Sequence, residues 1–510
     1  MKKIGFLLGI MFAFGLQTFA QETYEIATIE QAELTGTARY IGMGGAIEAL
    51  GADISTISTN PAGIGLFRKS QVLASLSIVS MADASKTFDV SPTRFSFDQA
   101  GFVYSTNTSD SRTSFINFAF NYSKSRNFSQ ILSAANSLID ASQNKQTMNK
   151  FMEGIISSDN DAAYNQVDYL YFNSLMYDYG DTCYNANAYD MERGTKGYIS
   201  NFDFNLAFNY NDRVFAGFTV GIKDVNYHAQ SCYGEMFSDA PISALTITDD
   251  RRINGTGVDF KAGIIFRPIE SSPFRVGLAV STPTFYSLRS SNITRIDYAG
   301  SGNKAYESIN ESYRYKFNTP WKFSLSAGHT FGQMLAAGVS WEYTHFPATS
   351  PRIDNGDYID SWGYSYGSSY QDNAMKYNVE QSLKASHTIK TGLELKPVSS
   401  MAVRLGFNYV SPMYKEDGYR DPAIASWGNG YSSQTDFTNW KATYRVTAGL
   451  GYGMKHFFAD VAYQYSSQKG DFYPFTSFIS SYSEQLDNIP TITEVKNNRH
   501  QVLLTLGYKF

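Results

Sequence analysis

Tyr198-Ile199-Ser200-Asn201-Phe202-Asp203-Phe204-Asn205-Leu206-Ala207-Phe208-Asn209-Tyr210 is followed, after Asn211-Asp212-Arg213, by Val214-Phe215-Ala216-Gly217-Phe218-Thr219-Val220-Gly221-Ile222. In the first run Tyr198, Phe202, Phe204, Leu206, Phe208 and Tyr210 share one face, and Asn201, Asp203, Asn205 and Asn209 share the other. Strand side chains alternate sides, so this parity describes a strand with one apolar and one polar face. The second run repeats it, with Val214, Ala216, Phe218, Val220 and Ile222 set against Gly217, Thr219, Gly221 and Lys223. Two alternating runs joined by so short a turn form a hairpin.

The pattern extends in both directions. It recurs over Val72 to Ile78, Phe95 to Tyr104, Phe115 to Tyr122, Val258 to Phe266, Phe274 to Val280, Tyr313 to Ala327 and Leu335 to Tyr343. It continues over Leu383 to Leu395, Met401 to Tyr409, Trp440 to Tyr452, Phe457 to Tyr465 and the C-terminal run through Val502, Leu504, Leu506, Tyr508 and Phe510. These make about 14 strands, an even number, as a single-chain bacterial membrane barrel requires. Short turns alternate with long connections at about 124–197, 229–250, 289–311, 348–381, 414–438 and 469–497, which predicts periplasmic turns and extracellular loops. The fold class is therefore all-β, a transmembrane antiparallel β-barrel whose apolar face meets lipid and whose polar face meets a lumen.

Composition agrees. The 510 residues carry 42 Lys plus Arg and 47 Asp plus Glu, a net charge of -5, which leaves no electrostatic case for nucleic acid. Mean hydropathy is -0.29 although Phe, Tyr and Trp make up 15% of the chain. No apolar run of about 20 residues follows residue 20, so helical spanning is excluded, and alternation reconciles the polar average with the aromatics.

From Asn127 to about Asp159 the period changes. Phe128, Ile131, Leu132, Ala135, Leu138 and Ile139 fall at helical spacing, and Phe151, Ile155 and Ile156 suggest a second short helix, which predicts a helical extracellular loop. Phe128, Ile131, Leu132 and Leu138 could line an outer capture groove or simply pack the loop helix.

Lys2 and Lys3, the apolar stretch Ile4 to Leu16, and small residues Thr18 and Ala20 predict a cleaved secretory signal peptide over 1–20. The terminal Tyr508 and Phe510 resemble the assembly signal of bacterial outer-membrane barrels, which implies the barrel assembly machinery and outer-membrane lipid as partners. Residues 21–69 precede the first strand and are rich in Gly, including Gly42, Gly44 and Gly45, so a compact irregular element is expected there.

Gly36-Thr37-Ala38-Arg39-Tyr40-Ile41-Gly42-Met43-Gly44-Gly45-Ala46, with Ala52-Asp53-Ile54-Ser55-Thr56-Ile57-Ser58-Thr59-Asn60-Pro61-Ala62-Gly63, resembles the N-terminal hatch of the FadL/TodX family of outer-membrane transporters for hydrophobic compounds. Asn60-Pro61-Ala62 is similar to that family's hatch motif, with Asp53 at the usual spacing before it. The resemblance implies three segments: a signal peptide at 1–20, a hatch plugging the lumen at 21–69 and a barrel at 70–510. It implies a monomer that passively takes up long-chain fatty acids or other apolar molecules, which leave sideways through a gap in the wall after the hatch shifts.

A fatty acid needs a cation for its carboxylate. Alternation turns Arg314, Lys316 and Lys322 on one strand, Arg404 on another, and Lys441 and Arg445 on a third toward the lumen, as head-group candidates or as partners of Asp203, Asp259 and Glu342. The six His are scattered, so neither a metal site, a cofactor nor an enzymatic role is indicated. Cys183 and Cys232 both fall in predicted extracellular loops, where they form a disulfide or stand as two thiols. A polar lumen would also suit an open channel for small polar solutes, and long loops a surface-adhesion barrel. The place of residues 21–69 separates the transporter from the open channel.

Overall fold

The computed structural model describes residues 22–510 apart from 83, 109–112, 157–164, 180–182, 239, 300–303, 308–310, 360–364, 422, 425, 427–429, 431 and 482. The signal-peptide segment lies outside the described residues. The first strands are β1 (Gln71–Met81), β2 (Thr93–Asn107), β3 (Thr113–Asn127), β4 (Gln130–Ala141) and β5 (Ala186–Tyr210). Then follow β6 (Val214–Met236), β7 (Ala244–Phe266), β8 (Arg275–Ser281), β9 (Phe285–Ala299), β10 (Lys304–Glu307) and β11 (Glu311–Asn318). Next come β12 (Lys322–Phe331), β13 (Leu335–His345), β14 (Ser350–Ile359), β15 (Ser365–Gln371) and β16 (Ala385–Val398). The last are β17 (Met401–Val410), β18 (Phe437–Gly453), β19 (Phe457–Tyr473) and β20 (Thr493–Lys509).

Fourteen of them close an antiparallel ring: β1, β2, β3, β5, β6, β7, β8, β12, β13, β16, β17, β18, β19 and β20, with β20 pairing back to β1 from Gln71↔Lys509 to Met81↔Arg499. Closure leaves no free edge, as a bilayer demands of any sheet that crosses it. The ring opens from short turns at one end. At one of them Asn211 and Asp212 both take positive φ, 52° and 53°, the backbone that Asn and Asp tolerate.

Several strands run far past a membrane. β5, β6 and β7 hold 25, 23 and 23 residues, whereas about 9–11 suffice to cross a bilayer. The connections expected at 229–250 and 289–311 are therefore largely strand, because alternation persists beyond the lipid belt. Phe128, Ile131, Leu132 and Leu138 are corrected too. β4 carries Ile131, Leu132 and Leu138, and Phe128 lies just before it. Leu132, Ala134 and Leu138 are buried while Ser133, Ala135 and Ile139 are exposed, so the period is two and the helical spacing was coincidental. The loop's helices come later, as α3 (Gln143–Met152), α4 (Gln166–Asn173) and α5 (Leu175–Tyr179). Met148, Leu170, Tyr171 and Leu175 pack with Tyr189, Tyr233 and Phe472 of the wall, forming a cap with its own core at the loop end.

The run expected as one strand over Tyr313 to Ala327 is two, β11 and β12, separated by Thr319-Pro320-Trp321. Neighbouring strands break at the same level: Thr282-Pro283-Thr284 parts β8 from β9, and Phe346-Pro347-Ala348, a 3-10 turn, parts β13 from β14. Proline cannot donate to the ladder, so three adjacent prolines mark one discontinuity across the wall. Side-chain parity inverts across it. Below, toward the turns, Gly277, Ala279 and Ser326 are buried while Leu278, Phe323 and Leu325 face out. Above, Tyr286, Leu288, Tyr313, Tyr315 and Phe317 are buried and Arg289 and Arg314 face out.

Candidate functional site

The N-terminal segment fills the lumen. It comprises α1 (Thr23–Glu30), α2 (Ala38–Gly42) and two short 3-10 helices, Ile54–Ser58 and Pro61–Leu66. The Asp53 carboxylate caps the first of these at Ser55 N, 3.0 Å, and accepts the Thr37 hydroxyl at 2.8 and 3.0 Å. Asn60 caps the second: its Oδ1 accepts from Ala62 N at 3.1 Å, and Pro61 occupies the first turn, where a missing N–H costs nothing. Asn60, Ala62 and Ile64 are fully buried.

Close approach to the wall depends on glycine. Gly328, Gly338, Gly392 and Gly406 face one another across β12, β13, β16 and β17. A Cβ on Gly338 would fall on the Ala46 carbonyl, one on Gly392 on the Met43 carbonyl, and one on Gly406 on the Gly44 nitrogen. Gly44 and Gly45 take φ of 62° and 83°, so the hatch backbone turns along this row where side chains are not accommodated. Gly42 lies against Gly449 of β18, and Gly63 packs on Thr56 within the hatch. Ion pairs and a hydroxyl fix the remainder: Arg39 to Glu394 at 3.2 Å, Glu48 to Lys390 at 2.7 Å, and Ser58 to Asp203 at 2.8 Å.

Cavities remain in the lumen around the N-terminal segment, a central one and an upper one among them. The central one, about 190 Å³, has a mixed lining whose polar part includes Glu30, Gln99, Lys223, Lys322, Glu342 and Arg445; Thr282, Thr284, Thr319, Pro320 and Phe346 place it at the level of the strand breaks. The upper one, about 80 Å³, is lined by Glu22, Glu25, Arg193, Arg251, Arg420 and Asp436. Ile29 of α1 lines both, so this helix partitions them. Beside α1 the inverted parity of β9 and β11 makes an apolar trough: Tyr286, Leu288, Tyr313, Tyr315 and Phe317 pack with Ile253 and with Ile26 and Ile29. The Tyr286 and Phe317 rings stack at 4.9 Å.

The six basic candidates separate. Lys322 lines the central cavity, half-buried, and its ammonium makes no ion pair or hydrogen bond among the described residues. Arg445 lines it too, with Nη1 donating to Asn408 at 2.8 Å and Nη2 to the Ala32 carbonyl at 3.1 Å. Arg404 is buried beneath the hatch between Glu394, 2.7 Å, and Asp460, 2.5 Å. Arg314 and Lys316 do not face the lumen, because the break after β11 shifts parity: Arg314 is exposed opposite Arg289, and Lys316 pairs with Asp354 at 2.8 Å. Lys441 also faces outward, paired with Asp471 at 2.9 Å, since a bulge between Trp440 and Thr443 moves the register by one. The acids expected to pair with these candidates mostly serve others: Lys261 bridges Asp203 and Asp259, and Glu342 meets Lys390.

Of the two alternatives for Cys183 and Cys232, the structure has the second: both stand as free thiols. Cys183 packs on the loop-end core, while Cys232 sits in β6 between Glu192 and Thr248 of its neighbouring strands. Tyr508 closes the ring on β1 and β19, and Phe510 N donates to the Ser70 carbonyl at 3.0 Å. Among the described residues no His, Cys, Asp and Glu cluster could hold a metal. The sequence reading missed Arg251 and Arg420 because both adjoin or lie in stretches taken as loops. The parity of the Ile247, Asp249, Arg251 and Ile253 run was the signal for Arg251.

No family model matches the chain, and no curated protein does. Among solved structures it is similar to the toluene transporter TodX of Pseudomonas putida, with 10% identity over 94% of this chain and 99% of that one and a TM-score of 0.50. A Pseudomonas aeruginosa FadL homologue matches 97% of this chain and 100% of its own with 13% identity and a TM-score of 0.49. The toluene transporter TbuX of Ralstonia pickettii matches at 12% identity, 94% and 99% coverage and a TM-score of 0.49. Identity this low speaks for backbone alone, and with the closed ring and the plugged lumen it gives one answer: the chain has the FadL/TodX fold, a 14-stranded outer-membrane-type barrel with its N-terminal segment as a hatch.

Proposed function

We propose that the protein carries hydrophobic small molecules, with long-chain fatty acids as the leading class, passively across the outer membrane through this hatch-gated barrel, its loop end outside the cell. The observation that carries the reading is the inverted upper wall. An aromatic trough of Tyr286, Leu288, Tyr313, Tyr315 and Phe317 opens toward the central cavity, in which the Lys322 ammonium is unpaired among the described residues. An apolar tail and a carboxylate need those two environments side by side. The similar structures include two toluene transporters and a FadL homologue, which favours a hydrophobic cargo.

The open-channel reading is disfavoured because residues 22–70 occupy the lumen and press on the glycine row. Lys322 is the head-group cation of the central cavity. Exit lies where β13 stops pairing with β16 above His345↔Ala385 and a helix, α6 (Asn373–Ser382), stands in the wall. Uptake of labelled palmitate into liposomes holding an internal fatty-acid trap tests the function. Uptake above empty liposomes, with no leakage of a polar dye, is expected; dye leakage without palmitate uptake would overturn it.

A further inference from the structure

The trough and the cations above it are already occupied, and by the chain itself. Ile26 and Ile29 of α1, both buried, lie among Tyr286, Tyr315 and Phe317. At the other end of the same helix Glu25 pairs with Arg251, and Glu22 lies 3.5 Å from Arg420. All four charged side chains are at most 9% exposed. Helix α1 thus presents carboxylates followed by an apolar face, in the order and over the length, about 12 Å for 8 residues, of an amphipathic carboxylate.

The fit to its seat is incomplete. Among the described residues Glu22 Oε1 and Glu25 Oε2 are buried without hydrogen-bond partners, and a cavity of about 80 Å³ remains beside them. A helix this short does not persist once released into water, so it stands only while its contacts with the wall hold it. Among these are also Tyr24 Oη donating to Asn439 at 2.8 Å, the Tyr24 ring on Tyr414 and Phe437, and the Thr349 hydroxyl donating to Glu30 at 2.9 Å. With α1 withdrawn, Arg420 loses both its carboxylates, Arg251 loses Glu25 and keeps only the more distant Asp249 at 3.9 Å, and the trough loses its filling, while Arg193 keeps Asp436 at 2.7 Å.

Resting on the proposed transport of hydrophobic molecules, we propose that α1 is an internal ligand. It holds the arrival site of an amphipathic carboxylate, with Glu22 and Glu25 standing for the head group and Ile26 and Ile29 for the tail, and cargo binds there only by displacing it. Affinity then reports the fraction of molecules with α1 out.

The test uses the full chain in detergent with Cys183→Ser and Cys232→Ser, and palmitate and hexadecanol as probes. Thr23 Oγ1 lies 3.4 Å from Met375 Sδ of α6, so Thr23→Cys with Met375→Cys can be joined by oxidation or a short thiol crosslinker to hold α1 in place. Joining should weaken palmitate binding at least about tenfold, and cleaving the link should restore it; Ile26→Ser with Ile29→Ser, which loosens the occupant, should tighten both probes about tenfold. Equal palmitate affinity with α1 joined and free overturns the internal ligand and leaves the transport reading standing. If neither probe binds any variant, loosened α1 included, the transport reading fails and this inference falls with it. Unchanged heat-modifiable mobility on gels confirms that each variant retains the barrel.

Discussion

Below the three proline breaks and above them, the same wall obeys opposite rules. Below, Leu278, Phe323 and Leu325 face outward and the inner face is glycine and serine against the hatch; above, Arg289 and Arg314 stand opposite each other outside, and Tyr313, Tyr315 and Phe317 face in. Like charges directly opposed on a ladder are tolerable only in water, so the break marks where lipid ends. An odd spacing, as between Phe317 and Lys322, exchanges the two faces without disturbing the ring. A barrel can thus be lipophilic outside at one height and lipophilic inside at the next.

The lower region is broken most severely through its glycine row. Gly338→Val would drive a side chain into the Ala46 carbonyl and unseat the hatch. Planar-bilayer recording should then reveal steady ion conductance where the parent protein is closed. A silent Gly338→Val barrel would show that the row does not seat the hatch.

Outward positions sharpen the boundary. Leu325→Arg places a charge against lipid and should cost about 2–4 kcal/mol in urea unfolding from vesicles, whereas Ser287→Arg, outward above the break, should cost nothing measurable. Equal costs would place the membrane edge elsewhere.

Within the lumen the effects are smaller and concern binding. Lys322→Met should weaken palmitate about tenfold and leave hexadecanol unchanged, since only the former brings a charge to the unpaired ammonium. Equal losses for both probes would mean that Lys322 shapes the cavity and does not bind the head group.

The smallest effect is a pH dependence. Burial pushes the Glu30 carboxyl up to about 8, with the Thr349 hydroxyl and the Lys322 and Lys376 charges pulling the other way. Between its ordinary value of 4.5 and about 8 the folded state holds a proton that the unfolded state has released. Stability therefore falls as pH rises across that window and levels above it. The Tm of the parent protein should fall more than that of Glu30→Gln between pH 5 and pH 8.5; parallel curves would remove Glu30 from the titration.

Much of the lower region was legible in the sequence, because period two survives wherever one face meets lipid. The Asn211-Asp212 turn and the even strand number follow from local chemistry. The upper region was not. Continuous parity from Tyr313 to Ala327 hides the break at Pro320, and so misplaced Arg314 and Lys316; a bulge did the same to Lys441. The apolar residues of β4 matched helical spacing by coincidence, and α1, whose carboxylates meet Arg251 and Arg420, is too short to announce itself.

The central claim is that the inverted upper wall receives the cargo. Photocrosslinking with a diazirine-bearing palmitate, followed by peptide mapping, tests it most directly. Label on Leu288, Tyr313, Tyr315 and Phe317 is predicted, whereas label confined to outward residues such as Phe323 and Leu325 would contradict the account.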